Sequence, residues 1–330
     1  MNIVLSRLDR IGDLILSTPA IASVRRSWPD AHVSIVCSRY NAVVLERSTD
    51  VDALVVAPIG RNVAEVGRRF RGKCDLAIAL APCSPDFLLA GATRAPVRVG
   101  YTYVRRYFTR LTARLYLNRL AVSEADPQIS ERHPDLKVRH EVEQVLDLVT
   151  LAGGRVLVEN LTIPVEDVDR HAVEHVPVGG IAFHLGRRWF ERGSTFESTL
   201  ALIAELRRRF GLPVAVTYGV DVIEEARRLS AACVADVVVG GLSFRQWAAA
   251  FEKSRIVVTV DTSATHLASA MRRPTVVLFE HRYFQLSSQE WAPYGVPAVC
   301  LRKPAGESLE ELAASRAQVI AAAESLLGSL

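Results

Sequence analysis

The sequence predicts an α/β protein made of two doubly wound parallel sheets, and three observations carry that prediction. Apolar runs of strand length alternate with amphipathic segments of helix length along both halves of the chain, the pattern of repeated βαβ units. At 330 residues the chain is long for a single hydrophobic core, so two domains are expected. Each half also holds the same device, a strand running into a polar turn that opens a helix. In the first half Asn2-Ile3-Val4-Leu5 leads into Arg7-Leu8-Asp9-Arg10-Ile11-Gly12-Asp13; in the second Ile256-Val257-Val258-Thr259-Val260 leads into Asp261-Thr262-Ser263-Ala264-Thr265-His266. Open α/β sheets bind ligands at the carboxyl ends of their strands. Two matched turns therefore predict two half-sites and a cleft between nucleotide-binding-like domains.

In the first half strands are expected at 2–5, 32–37, 53–57, 75–80 and 97–100, with amphipathic segments at 61–71 and 84–93 between them. Right-handed crossovers put the helices on both faces of the sheet. The stretch 104–135 reads as basic and then loop-like, and 138–153 as a helix ending at Gly153-Gly154. Residues 160–178, rich in valine, proline and acids, read as a linker. In the second half strands are expected at 180–184, 213–217, 236–239, 256–260 and 275–279, with helices at 195–210, 221–233, 243–253 and 262–271. The alanine- and leucine-rich tail from Ser308 to Leu327 reads as a terminal helix. The expected domains are 1–165 and 178–305, with 306–330 packing back toward the first.

A hydrophobic share of 49% and a charged share of 23% exclude a disordered chain, and a net charge of +4 does not call for nucleic acid. The distribution of charge says more. From Phe87 to Ser123 there is no acidic residue, yet there are seven arginines (Arg94, Arg98, Arg105, Arg106, Arg110, Arg114 and Arg119) with Tyr101, Tyr103, Tyr107, Phe108 and Tyr116 among them. This is either a solvated helix face with its stems packed on the domain or a surface for an anionic partner, a membrane included. The five scattered cysteines form no CxxC pair and read as small buried hydrophobes of a reducing compartment. With strand one starting at once and no apolar run of about 18 residues, the expectation is a cytoplasmic chain, at most peripheral to a membrane.

The chain has no GxGxxG after its first strand, no GxxxxGK[ST], no HExxH and no Gly-x-Ser-x-Gly, which disfavours a dinucleotide fingerprint and a P-loop. Asp50-Val51-Asp52 and Asp167-Val168-Asp169 read as turn and linker acids, not metal ligands. A diphosphate leaving group would then be neutralised by backbone amides, helix ends and basic side chains. Gly12 permits close backbone approach. Asp13 is either a helix-opening acid or a general base facing the cleft, with Arg7, Asp9 and Arg10 as a polar rim. Asp261 reads as an N-cap, with Thr262 and Ser263 in a first turn whose amides suit an anion. His266 lies one turn further, either packed or touching the same ligand. Gly186, Arg187 and Arg188, with Arg192, form either a phosphate loop or an exposed basic loop. Glu224 or Glu225, after Tyr218-Gly219, is either a ribose contact or a surface acid.

These segments, RLDRIGDLILSTPAI, AFHLGRRW, TYGVDVIEEARRL and GGLSFRQWAAAFEKSRIVVTVDTSATHLASAMRRPTVVLF, resemble in order and spacing the ADP-heptose:lipopolysaccharide heptosyltransferase family (glycosyltransferase family 9). The resemblance implies a GT-B fold, with an acceptor-binding N-terminal domain and a C-terminal domain that binds a nucleotide sugar. It implies inversion at the anomeric carbon without a required metal or other cofactor, ADP-heptose being the expected donor. The family's base falls on Asp13, and its diphosphate-holding turn on Asp261, Thr262, Ser263 and His266, with Thr265 beside them. The donor set is completed by Gly186, Arg188, Arg192 and Glu225. Arg10, Gly12, Arg94, Arg98, Arg105 and Arg106 are expected to hold an anionic glycolipid such as the lipopolysaccharide inner core at the cytoplasmic face of the inner membrane. Three departures stand out: Ser263 replaces a glycine, Glu280 follows Phe279 where the family has Phe-Gly, and Arg188 or Arg192 stands in place of a lysine. Ser263 and Glu280 leave open a non-catalytic protein of the same fold that binds a nucleotide sugar or glycan, or a transferase with a different donor. An epimerase of this shape lacks an evident pair of acids.

Overall fold

Runs of valine, isoleucine and leucine with no polar face form the central strands, as a parallel sheet covered on both sides requires. The computed structural model describes residues 1–58, 62–123 and 137–328. It divides into two units, Met1–Thr162 and Ile163–Leu330. In the first, the order is β1 (Asn2–Arg7), α1 (Ile11–Ser27), β2 (His32–Ser38), β3 (Ala53–Ala57), α2 (Val63–Arg68), β4 (Leu76–Ala79), α3 (Ser84–Thr93), β5 (Val97–Tyr103), α4 (Tyr107–Tyr116), β6 (Arg119–Ser123) and α5 (Glu141–Leu151). The sheet runs β3-β2-β1-β4-β5-β6, every pair parallel.

The second unit contains α6 (Asp167–Ala172), β7 (Ile181–Leu185), α7 (Phe196–Phe210), β8 (Val214–Tyr218), α8 (Ile223–Ala231), β9 (Val237–Val239), α9 (Phe244–Glu252), β10 (Ile256–Val260), α10 (Ser263–Ala270), β11 (Thr275–Phe279), α11 (Phe284–Glu290), β12 (Ala298–Arg302) and α12 (Leu309–Gly328). Its parallel sheet runs β12-β11-β10-β7-β8-β9. Both units thus have the same doubly wound order, whose strand direction of travel reverses between β1 and β4 in one and between β7 and β10 in the other. Those switch points are where such sheets leave a crevice for a ligand.

Helix α1 shows how an awkward sequence is accommodated. Its residues from Gly12 to Val24 are buried, and Pro19 lies in its interior. Proline cannot donate to the carbonyl four residues back. The Thr18 hydroxyl donates to that carbonyl instead, at 2.8 Å from Ile15 O, and accepts from the Thr162 amide at 3.2 Å. The helix stays whole, and the end of the unit is tied to it.

Several expectations change. The boundary at 162/163 falls inside the expected linker, but Asp167–Ala172 is helical, held by a capping box from Glu166 to Asp169. Helix α4 and strand β6 occupy part of the stretch read as basic and loop-like; the loop-like residues 124–136, and residue 61 at the head of the segment 61–71, lie outside the described residues. Strands β6 and β12 escaped the reading because each is a half-exposed edge strand, with no continuous apolar run to mark it. The terminal helix α12 packs on α7 and on β10, β11 and β12 of its own unit. All five cysteines are free. No helix among the described residues is long and apolar enough to cross a membrane.

Candidate functional site

In the first unit the site is built on a buried arginine. Strand β1 delivers Arg7 to its carboxyl end with 1% of its surface exposed. A lone buried charge would be very costly, and four groups answer it. Arg7 Nε donates to Asp9 Oδ1 at 2.8 Å, Nη2 to Glu141 Oε1 at 2.9 Å, and Nη1 to Leu80 O at 2.6 Å and to Ser17 Oγ at 3.3 Å. Leu80 follows β4, so this one side chain closes the β1/β4 switch point. Asp13, 4% exposed, lies in the first turn of α1 with Oδ1 3.8 Å from Arg7 Nη2. Its Oδ2 accepts from Arg10 Nε at 2.8 Å, and the Arg10 side chain is 64% exposed. The Tyr101 hydroxyl, brought by β5, is 2.7 Å from both oxygens of Glu141.

Electrostatics follow from that packing. Burial alone would lower the Arg7 guanidinium, but Asp9, Glu141 and Asp13 outweigh it and hold it well above its ordinary value. Burial raises Glu141 above the usual carboxylate range, against the pull of Arg7. Burial likewise pushes Asp9 up to about 6, again with Arg7 opposing. At the head of α3 the Cys83 thiol donates to Asp86 Oδ2 at 3.0 Å; burial first, and the Asp9 charge second, push Asp86 from 3.8 to about 7. A folded value above the unfolded one means stability fully present below about 3.8 and lost as pH rises through about 7. Asp86→Asn is expected to flatten that decline, read as urea midpoints across this range.

In the second unit the corresponding site spans the β7/β10 switch point. Arg188, in a 3-10 turn after β7, pairs with Asp261 after β10; its Nη1 donates to both the Asp261 carboxylate and the Asp261 carbonyl. Thr262, and not Asp261 as expected, caps α10, its hydroxyl oxygen accepting from the Ala264 amide at 3.3 Å. The Thr265 amide donates to Thr262 O at 3.1 Å. Ser263, as the first helical residue, has an amide with no partner inside the helix. Beside this turn is a pocket whose charged lining is Arg188, Arg192, Lys303, Glu191, Asp261 and Glu280. Lys303 is 3% exposed, and its Nζ donates to the carbonyls of Arg188 at 2.7 Å and Glu191 at 3.2 Å. Burial lowers it to about 8, against the acids around it.

Two loops far apart in sequence are stitched to make that pocket. Arg192 Nε donates to Ala305 O at 3.0 Å, and the Gly193 amide to Glu307 Oε1 at 3.2 Å. Gly193 has φ +83, and a Cβ there would sit 2.3 Å from Pro304 O. Only glycine permits both the left-handed backbone and this approach. The neighbouring His184 ring is buried and hydrogen-bonded to Thr217 Oγ1 at 3.0 Å, and burial lowers it from its ordinary value to about 4.

The expected site residues divide accordingly. Arg10, Gly12 and Asp13 fall together at the head of α1. Arg188, Arg192 and Asp261 line one pocket, with Thr262, Ser263 and His266 in the adjoining turn and helix; Gly186 precedes Arg188, and a Cβ added there would make only ordinary contact with Thr262. Glu225 is half-buried in the first turn of α8. Two expectations are corrected. Thr265 is fully buried and its hydroxyl donates to Val260 O at 3.3 Å, so its side chain is committed to the turn itself. Arg94 and Arg98 stand where β5 begins, the opposite edge from Asp13; Arg98 is spent on the carbonyls of Tyr116 at 2.7 Å and Ala95 at 2.6 Å. Arg105 and Arg106 follow β5 and keep to the carboxyl edge. Of the two acid pairs, Asp52 accepts from the Val33 amide at 2.7 Å and from Arg25, which hold it below its ordinary value. Among the described residues no three metal-capable side chains cluster. Glu141, Tyr101 and Lys303 were not anticipated; each comes from a distant segment with no local motif.

Residues 200–318 match the model of glycosyltransferase family 9 (heptosyltransferase). The chain is 22% identical over 296 residues to lipopolysaccharide heptosyltransferase 3 of Escherichia coli, which covers 81% of this chain and 80% of that one. A glycosyltransferase family 9 structure from Veillonella parvula superposes with a TM-score of 0.79 at 21% identity, covering 100% of this chain and 97% of the other. The Escherichia coli heptosyltransferase WaaC with ADP-2-deoxy-2-fluoro heptose superposes at 0.70 with 19% identity, covering 97% and 99%. These superpositions identify the two doubly wound units with the GT-B fold of those enzymes.

Proposed function

We propose that this chain, which carries a glycosyltransferase family 9 domain in its residues 200–318, is an inverting transferase that moves a heptose from ADP-heptose to a lipopolysaccharide-type glycolipid at the cytoplasmic face of the membrane. One observation carries the mechanism: a buried carboxylate at the head of α1, flanked by a buried arginine and an exposed one. Arg7 fixes Asp13 from inside. Arg10, reaching it from the exposed side, is the partner that an acceptor hydroxyl displaces.

In the step proposed, the acceptor oxygen attacks the anomeric carbon and gives its proton to Asp13. The bond from that carbon to the phosphate oxygen breaks, and ADP leaves with the electron pair. The Ser263 amide, His266, Arg188, Arg192 and Lys303 receive the growing negative charge. Binding the diphosphate requires Arg188 to exchange part of its contact with Asp261. Lys303 supplies the ammonium that the sequence did not offer between 186 and 192, and it offsets Glu280 and Glu191. Arg105 and Arg106 lie on the same sheet edge as Asp13 and are proposed to hold the acidic core of the acceptor. The substrate class is that of the named relatives. Its test is a mass-spectrometric donor screen with purified protein, an acyl-free core acceptor and a panel of nucleotide sugars. Transfer from ADP-heptose is expected; donor binding with no transfer to any acceptor would sink it.

Lys303 gives the donor site a pH signature. The group is charged below about 8 and neutral above, so ADP affinity should hold up to that pH and then fall by up to about tenfold per unit. Lys303→Arg is expected to abolish the fall. Lys303→Met should flatten it and weaken binding by about 10- to 100-fold at neutral pH. Calorimetric titration with ADP across this range reads both.

A further inference from the structure

We propose that α4 is an interfacial helix that seats the first unit on an anionic lipid bilayer. Helices on a sheet normally turn their large apolar residues inward, and α4 does the reverse. Tyr107 is 70% exposed, Phe108 89%, Leu111 59% and Leu115 71%. Positions 108, 111 and 115 fall on one face at helical spacing. The opposite side is already occupied: Ala113 is buried in the core with Phe87 and Leu89, and the Tyr116 ring lies where a Cβ on Gly91 would be 2.4 Å away. Packing on α3 and β5 therefore fixes which face looks out.

The charge around that face selects its occupant. Arg105, Arg106, Arg110 and Arg114 border it, and no acid occurs between Phe87 and Ser123. The Arg106 and Arg110 guanidiniums stand 4.8 Å and 5.3 Å from the Tyr103 and Tyr107 ring centres. A second copy docking through this face would set arginine against arginine. An apolar protein partner would bury the leucines but offer the arginines no opposite charge. A bilayer with anionic headgroups takes both, with apolar side chains at the acyl boundary and arginines among the phosphates. The inference builds on the glycolipid-acceptor reading for its purpose, since Arg105 and Arg106 would meet an acceptor that stands in the same membrane, but it is tested without sugar chemistry.

The test is co-sedimentation of the full chain with vesicles of phosphatidylethanolamine and phosphatidylglycerol, compared with phosphatidylcholine alone and with no donor present. Binding is expected only to the anionic vesicles and should weaken with salt. The triple substitution F108S/L111S/L115S should reduce it by about tenfold or more, and Arg114→Ala by about fivefold. All four side chains are exposed, so melting temperatures should not move. Phe108→Trp should show blue-shifted emission on these vesicles and quenching by brominated lipid, above the background of the four native tryptophans. Failure of the wild type to sediment with anionic vesicles, or undiminished binding by the triple variant, overturns the proposal. So does a change of oligomeric state in the triple variant with vesicle binding intact, which would make the face an interface between copies. Absence of transfer to an acyl-free acceptor would count against the proposed function and leave the vesicle result standing.

Discussion

Asp13→Asn lowers turnover by about 10²–10⁴-fold while leaving ADP affinity unchanged; that is the expected result, and its size follows from losing a positioned general base. The substitution is nearly isosteric, at a side chain 4% exposed, and it removes the proposed proton acceptor while the donor turn, in the other unit, is untouched. The amide oxygen it introduces can still accept from Arg10. Arg7 keeps Asp9 and Glu141, so the cluster remains balanced and the fold should hold. Single-turnover measurement with ADP-heptose and an acyl-free acceptor separates chemistry from product release. Near-normal turnover would mean that the proton goes elsewhere, and the mechanism would have to be rebuilt around another group.

What could be read from the sequence, and what could not, divides by distance along the chain. The turns after β1 and β10 were legible because strand, polar turn and helix opening are consecutive residues. Glu141 lies 134 residues from Arg7 and Lys303 lies 115 from Arg188; nothing local marks either. Glu141 reaches the site because α5 packs on α1. Lys303 reaches its pocket because Gly193 lets the Pro304 carbonyl approach. The basic stretch divides for a different reason. Seven arginines close in sequence look like one surface, but β5 spans seven residues, about 23 Å at the usual rise of a strand. That length sends Arg94 and Arg98 to one edge of the sheet and Arg105 and Arg106 to the other. Glu280, which looked hostile to a diphosphate, shares its pocket with a lysine and two arginines.

The second large effect expected is on stability. Arg7→Met should destabilise the first unit by about 3–5 kcal/mol, the cost of breaking a buried ion pair by removing one partner. Against a typical domain stability of about 5–15 kcal/mol that is a severe loss. It arises because Asp9, Asp13 and Glu141 all lean on this one guanidinium, and without it each is a carboxylate near others with no buried cation between them. The sign with pH follows. Burial already raises Asp9, to about 6, and Glu141 above their ordinary values in the fold, and losing Arg7 raises them further. A carboxyl with a raised folded value contributes stability that is lost as pH rises, so the gap between variant and wild type should widen from pH about 5 to pH about 8. Urea unfolding followed at Trp28, in the same unit, reads it. If the cost is uncompensated charge and not lost packing, adding Glu141→Leu to Arg7→Met should recover part of it. A double variant as unstable at pH about 5 as at pH about 8, and no better than Arg7→Met alone, would show that the arginine acts by filling space, and the electrostatic account of the cluster would fail with it.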